Sequence, residues 1–204
     1  VIFVLPAPIR MTHLGISSTP PALLEAVEAF GGTPHQKLFK VELPFALPIL
    51  QALTPGQRHV QGLILTPTRE LALQVTAAIG QYGRDVGVRV LAVYGGQPYS
   101  EQINRLRKGV DVVVGTPGRL LDLMEKQSLD LHRVACVILD EADEMLSMGF
   151  IGDIETILQA TPADRQTGLF SATLPQPIRT LAQRYLREPQ ACTMGGQQRT
   201  VATV

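Results

Sequence analysis

Two acidic residues stand where a buried strand is predicted to end. Asp140 and Glu141 directly follow the apolar run 134–139, and open α/β sheets bind their ligands at the carboxyl ends of such strands. An aspartate at that point can hold a hydrated magnesium ion on a nucleoside triphosphate, and a following glutamate can orient the attacking water. Asp143 would then support a neighbouring polar group. The pattern indicates phosphoryl transfer, although acidic residues are also common at a helix start, where the helix dipole favours them.

The phosphate-binding half of this chemistry is missing from the sequence. A triphosphate is normally held by a glycine-rich loop that ends in Gly-Lys followed by Ser or Thr. No Gly-Lys dipeptide occurs in the 204 residues. Two carboxylates can position magnesium and water only when another group holds the phosphates between them.

Further polar clusters follow the other predicted strands. They combine glycine, hydroxyl and arginine residues with predicted helix starts or turns, and they are Pro67-Thr68-Arg69-Glu70, Gly95-Gly96, Thr116-Pro117-Gly118-Arg119 and Ser171-Ala172-Thr173. Glycine lets a phosphate approach the backbone closely, a helix start offers free N–H groups, and arginine adds a planar donor fork. The first three clusters therefore predict a track for a sugar-phosphate backbone, recognised by its geometry and not by base edges.

Each of these three clusters also has a structural interpretation. Thr116-Pro117 is a common helix start, Arg69 and Glu70 are placed for an ion pair, and Gly95-Gly96 alone is typical of a turn. No aromatic side chains interleave with the clusters, so a base-stacking platform is not predicted.

The hydroxyls of Ser171 and Thr173 have two interpretations. They either cap the helix that follows, or they bond to the acidic loop and report the nucleotide state to the backbone track. Their spacing does not separate the two.

A regular alternation of strands and helices begins at Gln61. The predicted strands cover residues 62–66, 89–94, 111–115, 134–139 and 167–170. The predicted helices cover residues 69–82, 100–108, 117–126, 141–160 and 176–186, with earlier helices over 20–30 and 45–53. Because most strands are continuous apolar runs, this order predicts an α/β fold with a parallel sheet and helices on both faces. All the polar clusters then share one rim.

The bulk composition limits the classes of function. The 18 basic and 18 acidic residues cancel, so a polyanion must be bound by a local site and not by a generally basic surface. Cys136 and Cys192 belong to no CxxC or Cys/His cluster, so the sequence indicates neither a zinc site nor a disulfide framework, and a reducing cytoplasm fits best. The apolar start 1–5 is too short to span a bilayer. We expect a monomer without membrane attachment.

In this order and spacing, the clusters resemble the first, N-terminal RecA-like domain of a DEAD-box RNA helicase. The resemblance runs from Leu63 to Pro189 and includes residues 142–150. A weaker resemblance to the family's adenine-reading region covers residues 14–16, the helix 20–30 and the segment 32–36. The family implies a RecA-like, P-loop NTPase-type sheet, ATP and Mg²⁺ between two such domains, and RNA backbone across the rim.

The resemblance implies a role for each matching residue. Asp140 and Glu141 would be catalytic, and Asp140 would hold the magnesium through the nucleotide. The nucleotide would be contacted by Gln36, Asp140, Glu141, Asp143, Ser171 and Thr173. The RNA would be contacted by Pro67, Thr68, Arg69, Glu70, Gly95, Gly96, Thr116, Pro117, Gly118 and Arg119.

The sequence departs from the family at residues 37–44, where a linker, a buried strand and the phosphate loop are expected. Lys40 is the nearest candidate for the phosphate lysine. Glu42 would repel phosphate, and no hydroxyl follows Lys40 to bind magnesium. The missing strand normally pairs on both sides, so its loss leaves a gap in the sheet that residues 1–5 or 38–43 are candidates to fill.

These observations divide the chain into four parts. Residues 1–10 are an upstream extension, 11–60 a degenerate adenine-reading region and linker without the phosphate loop, 61–190 the RecA-like domain, and 191–204 a tail toward an absent second domain. We expect a helicase domain by descent that binds ATP poorly and does not unwind RNA alone. The alternatives are a non-hydrolysing RNA-binding or protein-interaction module, and an inactive truncated gene product.

Overall fold

The computed structural model describes residues 2–5, 49–50, 52–54 and 56–193. The strands are β1 Ile2–Leu5, β2 Gly62–Leu65, β3 Val90–Val93, β4 Val112–Gly115, β5 Cys136–Leu139, β6 Gln166–Ser171 and β7 Gln190–Thr193. The helices are α1 Arg69–Tyr82, α2 Tyr99–Arg107, α3 Pro117–Glu125, α4 Ala142–Ser147, α5 Ile151–Gln159 and α6 Gln176–Tyr185. Every element predicted after Gln61 is present, with ends that differ by at most two residues.

Several sequence predictions fall outside the described residues. These are the helix over 20–30, the candidate strand 38–43 and the nucleotide contact Gln36. Of the helix predicted over 45–53, four residues are described: Ile49, Leu50 and Ala52 are helical, and Leu53 is not. In the part of the chain that the structure describes, no helix is both long and apolar enough to cross a lipid bilayer.

The strands form one seven-stranded sheet in the order β3-β4-β2-β5-β6-β1-β7. The run from β3 to β6 is parallel throughout, as expected for strands joined by helical crossovers. The predicted parallel sheet is therefore confirmed, and the carboxyl ends of its five parallel strands lie at one edge. We call this edge the rim.

Both faces of the sheet are buried, which explains why its strands are continuous apolar runs. Leu63 and Leu65 of β2 point into one core, which α3, α4, α5 and α6 cover. Ile64 points into a second core, which α1 covers through Ala72 and Val75. Truncating a fully buried leucine such as Leu63 to alanine typically costs about 2–5 kcal/mol. The strand ends are thus fixed by packing on both sides.

An ion pair stands where β3 and β4 begin. Arg89 Nη2 lies 2.6 Å from Asp111 Oδ1, and Arg89 Nε donates to Asp111 Oδ2 at 2.9 Å. The backbone N–H of Arg89 also donates to Asp111 Oδ2, at 2.8 Å. Because this N–H bonds to a carboxylate and not to a carbonyl of the ladder, the two strands begin at Val90 and Val112, one residue later than predicted.

β1 lies inside the sheet and runs antiparallel to both of its neighbours. Ile2 pairs with Ser171 of β6, and Leu5 pairs with Gln190 of β7. Two predictions were made for this segment: that it belongs to an upstream extension, and that it is a candidate to fill the gap in the sheet. The structure agrees with the second interpretation. The antiparallel direction places the carboxyl end of β1 at the edge opposite the rim.

Candidate functional site

The parallel strands end level with one another at the rim. Backbone hydrogen bonds continue one residue past the strands and align the first residue of each loop. These bonds, each 3.0 Å long, run from Thr66 N–H to Gly115 O, from Thr116 N–H to Val93 O and from Asp140 N–H to Leu65 O. The loops that carry the predicted site residues therefore start side by side, as the sequence predicts.

Asp140 and Glu141 differ in their surroundings. Asp140 directly follows the buried strand β5 and is only 1% exposed, whereas Glu141 is exposed. Glu141 has φ 51° and ψ 51°, in the left-handed region that residues other than glycine rarely adopt. A conformation of this kind costs about 1–3 kcal/mol and is concentrated at functional sites. The sheet thus holds Asp140 in place, and the chain turns sharply at Glu141.

Asp143 joins the acidic loop to the loop after β6. Asp143 Oδ2 accepts hydrogen bonds from the Thr173 hydroxyl at 2.8 Å and from the Thr173 backbone N–H at 3.0 Å. The backbone N–H of Asp143 donates to Ser171 Oγ at 3.1 Å, and Ser171 Oγ donates to the Thr173 carbonyl at 2.6 Å. Helix α6 has no side-chain cap. Of the two interpretations of these hydroxyls, bonding to the acidic loop is the one observed.

These contacts also set the charge of Asp143. Burial alone would raise the pKa of its carboxyl group, but hydrogen bonds from Thr173, Ser171 and the Ala172 backbone outweigh burial and lower that pKa below its usual value. Asp143 is therefore held as a carboxylate. Its negative charge is part of the link between the two loops.

The acidic loop is better suited to bind the magnesium ion of a magnesium–nucleotide complex than to bind the phosphates of the nucleotide. Mg²⁺ takes oxygen ligands and is usually held by one or two carboxylates together with phosphate oxygens, which matches Asp140 with Glu141 beside it. Within the described ranges, no three acidic, histidine or cysteine side chains form a self-contained metal site.

A phosphate loop follows the carboxyl end of a strand. The strand beside β6 is β1, and its carboxyl end lies at the edge opposite the rim.

The cluster at the start of α1 is capped and partly exposed: Pro67 is buried, Thr68 is half-buried, and Arg69 and Glu70 are exposed. Thr68 is the N-cap residue, and its Oγ1 accepts from Leu71 N–H at 3.2 Å. The Arg69 guanidinium lies over the ring of Tyr94, 5.0 Å from its centre. Among the described side chains Arg69 makes no ion pair with Glu70, so the structural interpretation of that pair is not observed. Arg69 stays at the surface of the rim.

The cluster at the start of α3 corrects one prediction. Pro117 stands in the first turn as expected, but the Thr116 hydroxyl makes no capping bond. Arg119 was expected to present a donor fork to a phosphate, whereas its side chain is 8% exposed. Its Nη1 donates to the Gln97 carbonyl at 2.9 Å, and its guanidinium stacks over Tyr99, 4.1 Å from the ring centre. The guanidinium is buried because these internal acceptors and this ring satisfy it.

Three glycines leave the surface of the rim open. A Cβ atom at Gly95, Gly96 or Gly118 would meet no heavy atom of the described residues within 4 Å. Gly96 has φ 80°, a conformation that favours glycine. Gly115, in contrast, is enclosed, since a Cβ there would lie 2.6 Å from the Val93 carbonyl oxygen. The open glycines expose backbone to an approaching polymer.

Aromatic side chains flank this surface, which the sequence analysis missed. Tyr94 precedes the glycine pair and is buried, and Gln97 Nε2 donates to its hydroxyl at 2.9 Å. Tyr99 follows the pair, and the guanidinium of Arg119 stacks over its ring. Because each ring already has a cation over it, neither serves as an open platform for a base. The signal in the sequence was the position of Tyr94 and Tyr99 on either side of Gly95-Gly96.

The comparison with protein families decides the identity of this rim. The model of the DEAD/DEAH box helicases matches residues 43–181 of the chain. The chain belongs to the DEAD/DEAH box helicase family. Its resemblance to this family, derived above from the rim clusters alone, is therefore confirmed.

Individual helicases agree with this assignment. The chain is 48% identical over 160 residues to the ATP-dependent RNA helicase CshA of Listeria monocytogenes, a match that covers 78% of this chain and 31% of that protein. It is 52% identical over 147 residues to the ATP-dependent RNA helicase DeaD of Escherichia coli, covering 72% of this chain and 23% of that one. The helicase domain described here thus spans less than a third of the length of either relative.

Solved structures confirm the RecA-like fold. A DEAD box protein from Methanococcus jannaschii matches with a TM-score of 0.68 at 44% identity, covering 72% of this chain and 40% of that one. A hypothetical ATP-dependent RNA helicase from Sulfolobus tokodaii matches with a TM-score of 0.65 at 47% identity, covering 72% of this chain and 42% of that one. Both solved structures are more than 40% identical to this chain, so the likeness holds in sequence as well as in fold.

Proposed function

We propose that the chain is the first RecA-like domain of an ATP-dependent RNA helicase, that its rim binds RNA backbone, and that its own ATP binding is impaired. The names of the two bacterial relatives support the first part. The observation that carries the RNA part is the open glycine backbone at Gly95, Gly96 and Gly118. Gly118 is the exposed residue in the first turn of α3, and Arg69 and Glu70 are exposed at the start of α1 on the same rim.

The proposed RNA contacts are of two kinds. Gly95, Gly96 and the first turn of α3 let a phosphate approach backbone N–H groups, which favour an anion. Arg69 adds an exposed positive charge at the start of α1. The chain has no net charge, so the attraction is local and sensitive to salt. We expect modest affinity for single-stranded RNA, with no preference for base sequence.

The proposed ATP role rests on the acidic loop. Asp140 would hold magnesium on the nucleotide and Glu141 would orient the attacking water, while Asp143 would connect this loop to Ser171 and Thr173. The direction of β1 supports impaired binding, because the carboxyl end of this strand lies at the edge opposite the rim, and a phosphate loop follows the carboxyl end of its strand. Gln36 and Lys40, the remaining candidates for nucleotide contacts, lie outside the described residues.

A second candidate is a non-hydrolysing RNA-binding module. The antiparallel strand beside β6 favours it, since a strand in that direction delivers no phosphate loop to the rim. The two proposals agree on RNA and differ on ATP. Strand separation is proposed for neither, because the chain spans less than a third of the helicases CshA of Listeria monocytogenes and DeaD of Escherichia coli.

The RNA proposal is tested by adding one methyl group to the open glycines. Gly95→Ala and Gly118→Ala place a Cβ in free space, so neither variant should lower the melting temperature. If RNA backbone approaches these positions, each variant should weaken binding of a labelled single-stranded oligonucleotide about fivefold, comparable to the loss of one hydrogen bond. Fluorescence anisotropy measures both affinities.

The matched control is Gly152→Ala. Gly152 is an exposed glycine of α5 with equally free surroundings, and α5 contributes no residue to the proposed track. Its RNA affinity should equal that of the wild-type chain. Equal affinities in all three variants would contradict an RNA track over the glycines.

A further inference from the structure

The loop that carries Gly95 and Gly96 is held from beneath by two buried polar side chains. Gln102 of α2 is 3% exposed, and its Nε2 donates to the Tyr94 carbonyl at 3.1 Å. Arg119 of α3 donates to the Gln97 carbonyl at 2.9 Å. The two carbonyls are the last acceptor before the glycine pair and the first acceptor after it.

The two side chains are also joined to each other. Arg119 Nη1, which serves Gln97, lies 3.4 Å from Gln102 Oε1 as well. Arg119 is held in turn by Tyr99 and Asp122. Its guanidinium stacks over the Tyr99 ring, and Asp122 Oδ2 accepts a hydrogen bond from the Tyr99 hydroxyl at 2.7 Å. A buried polar group of this kind is costly unless its bonds are made. The arrangement therefore specifies one conformation of the loop.

The outer side of the loop provides no such constraint. Gly95 and Gly96 have open space where a side chain would be, and glycine has more conformational freedom than any other residue. Packing against described residues does not fix the pair from above. The hydrogen bonds to the Tyr94 and Gln97 carbonyls, together with the bond from Gln97 Nε2 to the Tyr94 hydroxyl, are thus the described contacts that define its shape.

We infer that Gln102 and Arg119 are positioning residues, which clamp both ends of the Gly95-Gly96 loop so that its backbone is presented to RNA phosphates. The inference rests on the proposed RNA track and assigns Arg119 an indirect role in it. Gln102 touches no RNA in this account. It acts by holding the Tyr94 carbonyl and by orienting the Arg119 guanidinium.

Gln102→Met tests the clamp, since methionine has a similar length and can make neither hydrogen bond. The control is Asn104→Met, two residues along the same helix, where the side chain is exposed. Backbone ¹⁵N relaxation by NMR should show the order parameters of the Gly95 and Gly96 amides falling from about 0.85, typical of rigid backbone, to about 0.6 or below in Gln102→Met but not in the control. Unchanged order parameters overturn the inference, whether or not RNA is present.

RNA affinity provides the second measurement, as a double-mutant cycle with Gly95→Ala. Gln102→Met should weaken RNA binding about fivefold, and combining it with Gly95→Ala should add little, because both changes act on one loop. Fully additive losses, as from general destabilisation, would overturn the positioning role. A wild-type chain that binds no RNA would instead overturn the proposed function, and a Gln102→Met variant with wild-type affinity would overturn the clamp alone.

Discussion

Thr173 donates two hydrogen bonds to one oxygen of Asp143, from its hydroxyl at 2.8 Å and from its backbone N–H at 3.0 Å. The two residues are 30 positions apart and follow the neighbouring strands β5 and β6. The acidic loop and the loop after β6 therefore form one unit. A displacement of either loop must break these bonds or carry the other loop with it.

Asp143→Asn should lower stability in a pH-dependent way. The pKa of Asp143 is lowered in the folded chain, so its ionised form stabilises the fold above the unfolded pKa of about 3.9 and this contribution disappears as pH falls through the folded pKa. At pH 7 the variant should lose about 1–2 kcal/mol of unfolding free energy, measured by urea denaturation. Near pH 2 the difference between the two proteins should be smaller, because more of the Asp143 carboxyl group is then protonated.

Thr173→Ser is the matched control, because serine retains the hydroxyl and the backbone donor. It should change the unfolding free energy by less than about 0.5 kcal/mol at either pH. A loss in Asp143→Asn that is as large at pH 2 as at pH 7 would mean that its charge plays no part.

Gly115→Ala should be strongly destabilising. A Cβ at this position would lie 2.6 Å from the Val93 carbonyl oxygen and 3.1 Å from Leu120, and the carbonyl cannot move without disturbing the sheet. We expect a loss of about 3 kcal/mol or more in chemical denaturation. Gly152→Ala, with free space around it, should be neutral or stabilising by up to about 1 kcal/mol. Similar stabilities for the two variants would refute the close packing at Gly115.

Arg69→Ala should reduce the salt dependence of RNA binding. An exposed arginine that neutralises one phosphate of single-stranded RNA contributes about 0.7 to the slope of log affinity against log salt concentration. The variant should lose about that much slope and bind all sequences more weakly. Arg84→Ala removes the same charge just beyond the opposite end of α1, and its slope should equal that of the wild type. Equal slopes in both variants would remove Arg69 from the track.

Glu141→Asn should stabilise the fold. Glu141 has φ 51°, and asparagine tolerates the left-handed region better than glutamate does. We expect a gain of about 0.5–1 kcal/mol in unfolding free energy. A loss of stability would show that contacts of the glutamate side chain outweigh the strain.

The sheet was predictable because its signals are local. Residues such as Leu63, Ile64 and Leu65 form apolar runs between amphipathic helices, and this alternation allows few topologies. The position of the acidic loop followed directly, since Asp140 comes at the end of such a run. The strand ends differed, for example where the Arg89–Asp111 pair replaces a rung of the ladder. The strand β7 was not predicted, since residues 191–193 were assigned to a C-terminal tail.

The buried part of the site was not predictable from local patterns. The sequence pattern around Arg119 predicts a phosphate ligand. Its side chain is buried instead, because it bonds to Gln97, which lies 22 residues earlier in the chain. The burial of Gln102 had one signal in the sequence. Gln102 lies four residues before Leu106 and therefore shares the inner face of α2. Its partners depend on tertiary packing. The left-handed turn at Glu141 has no signature in its residue type.

The central claim is that this helicase domain keeps its RNA rim but not its hold on ATP. Calorimetric titration of the purified chain with ATP and Mg²⁺, in the presence of single-stranded RNA, tests it most directly. We predict no saturable binding tighter than about 1 mM, because the sequence has no Gly-Lys dipeptide to form the cradle that normally supplies many of the triphosphate contacts. Saturable, magnesium-dependent binding at micromolar ATP that Asp140→Ala abolishes would contradict the claim.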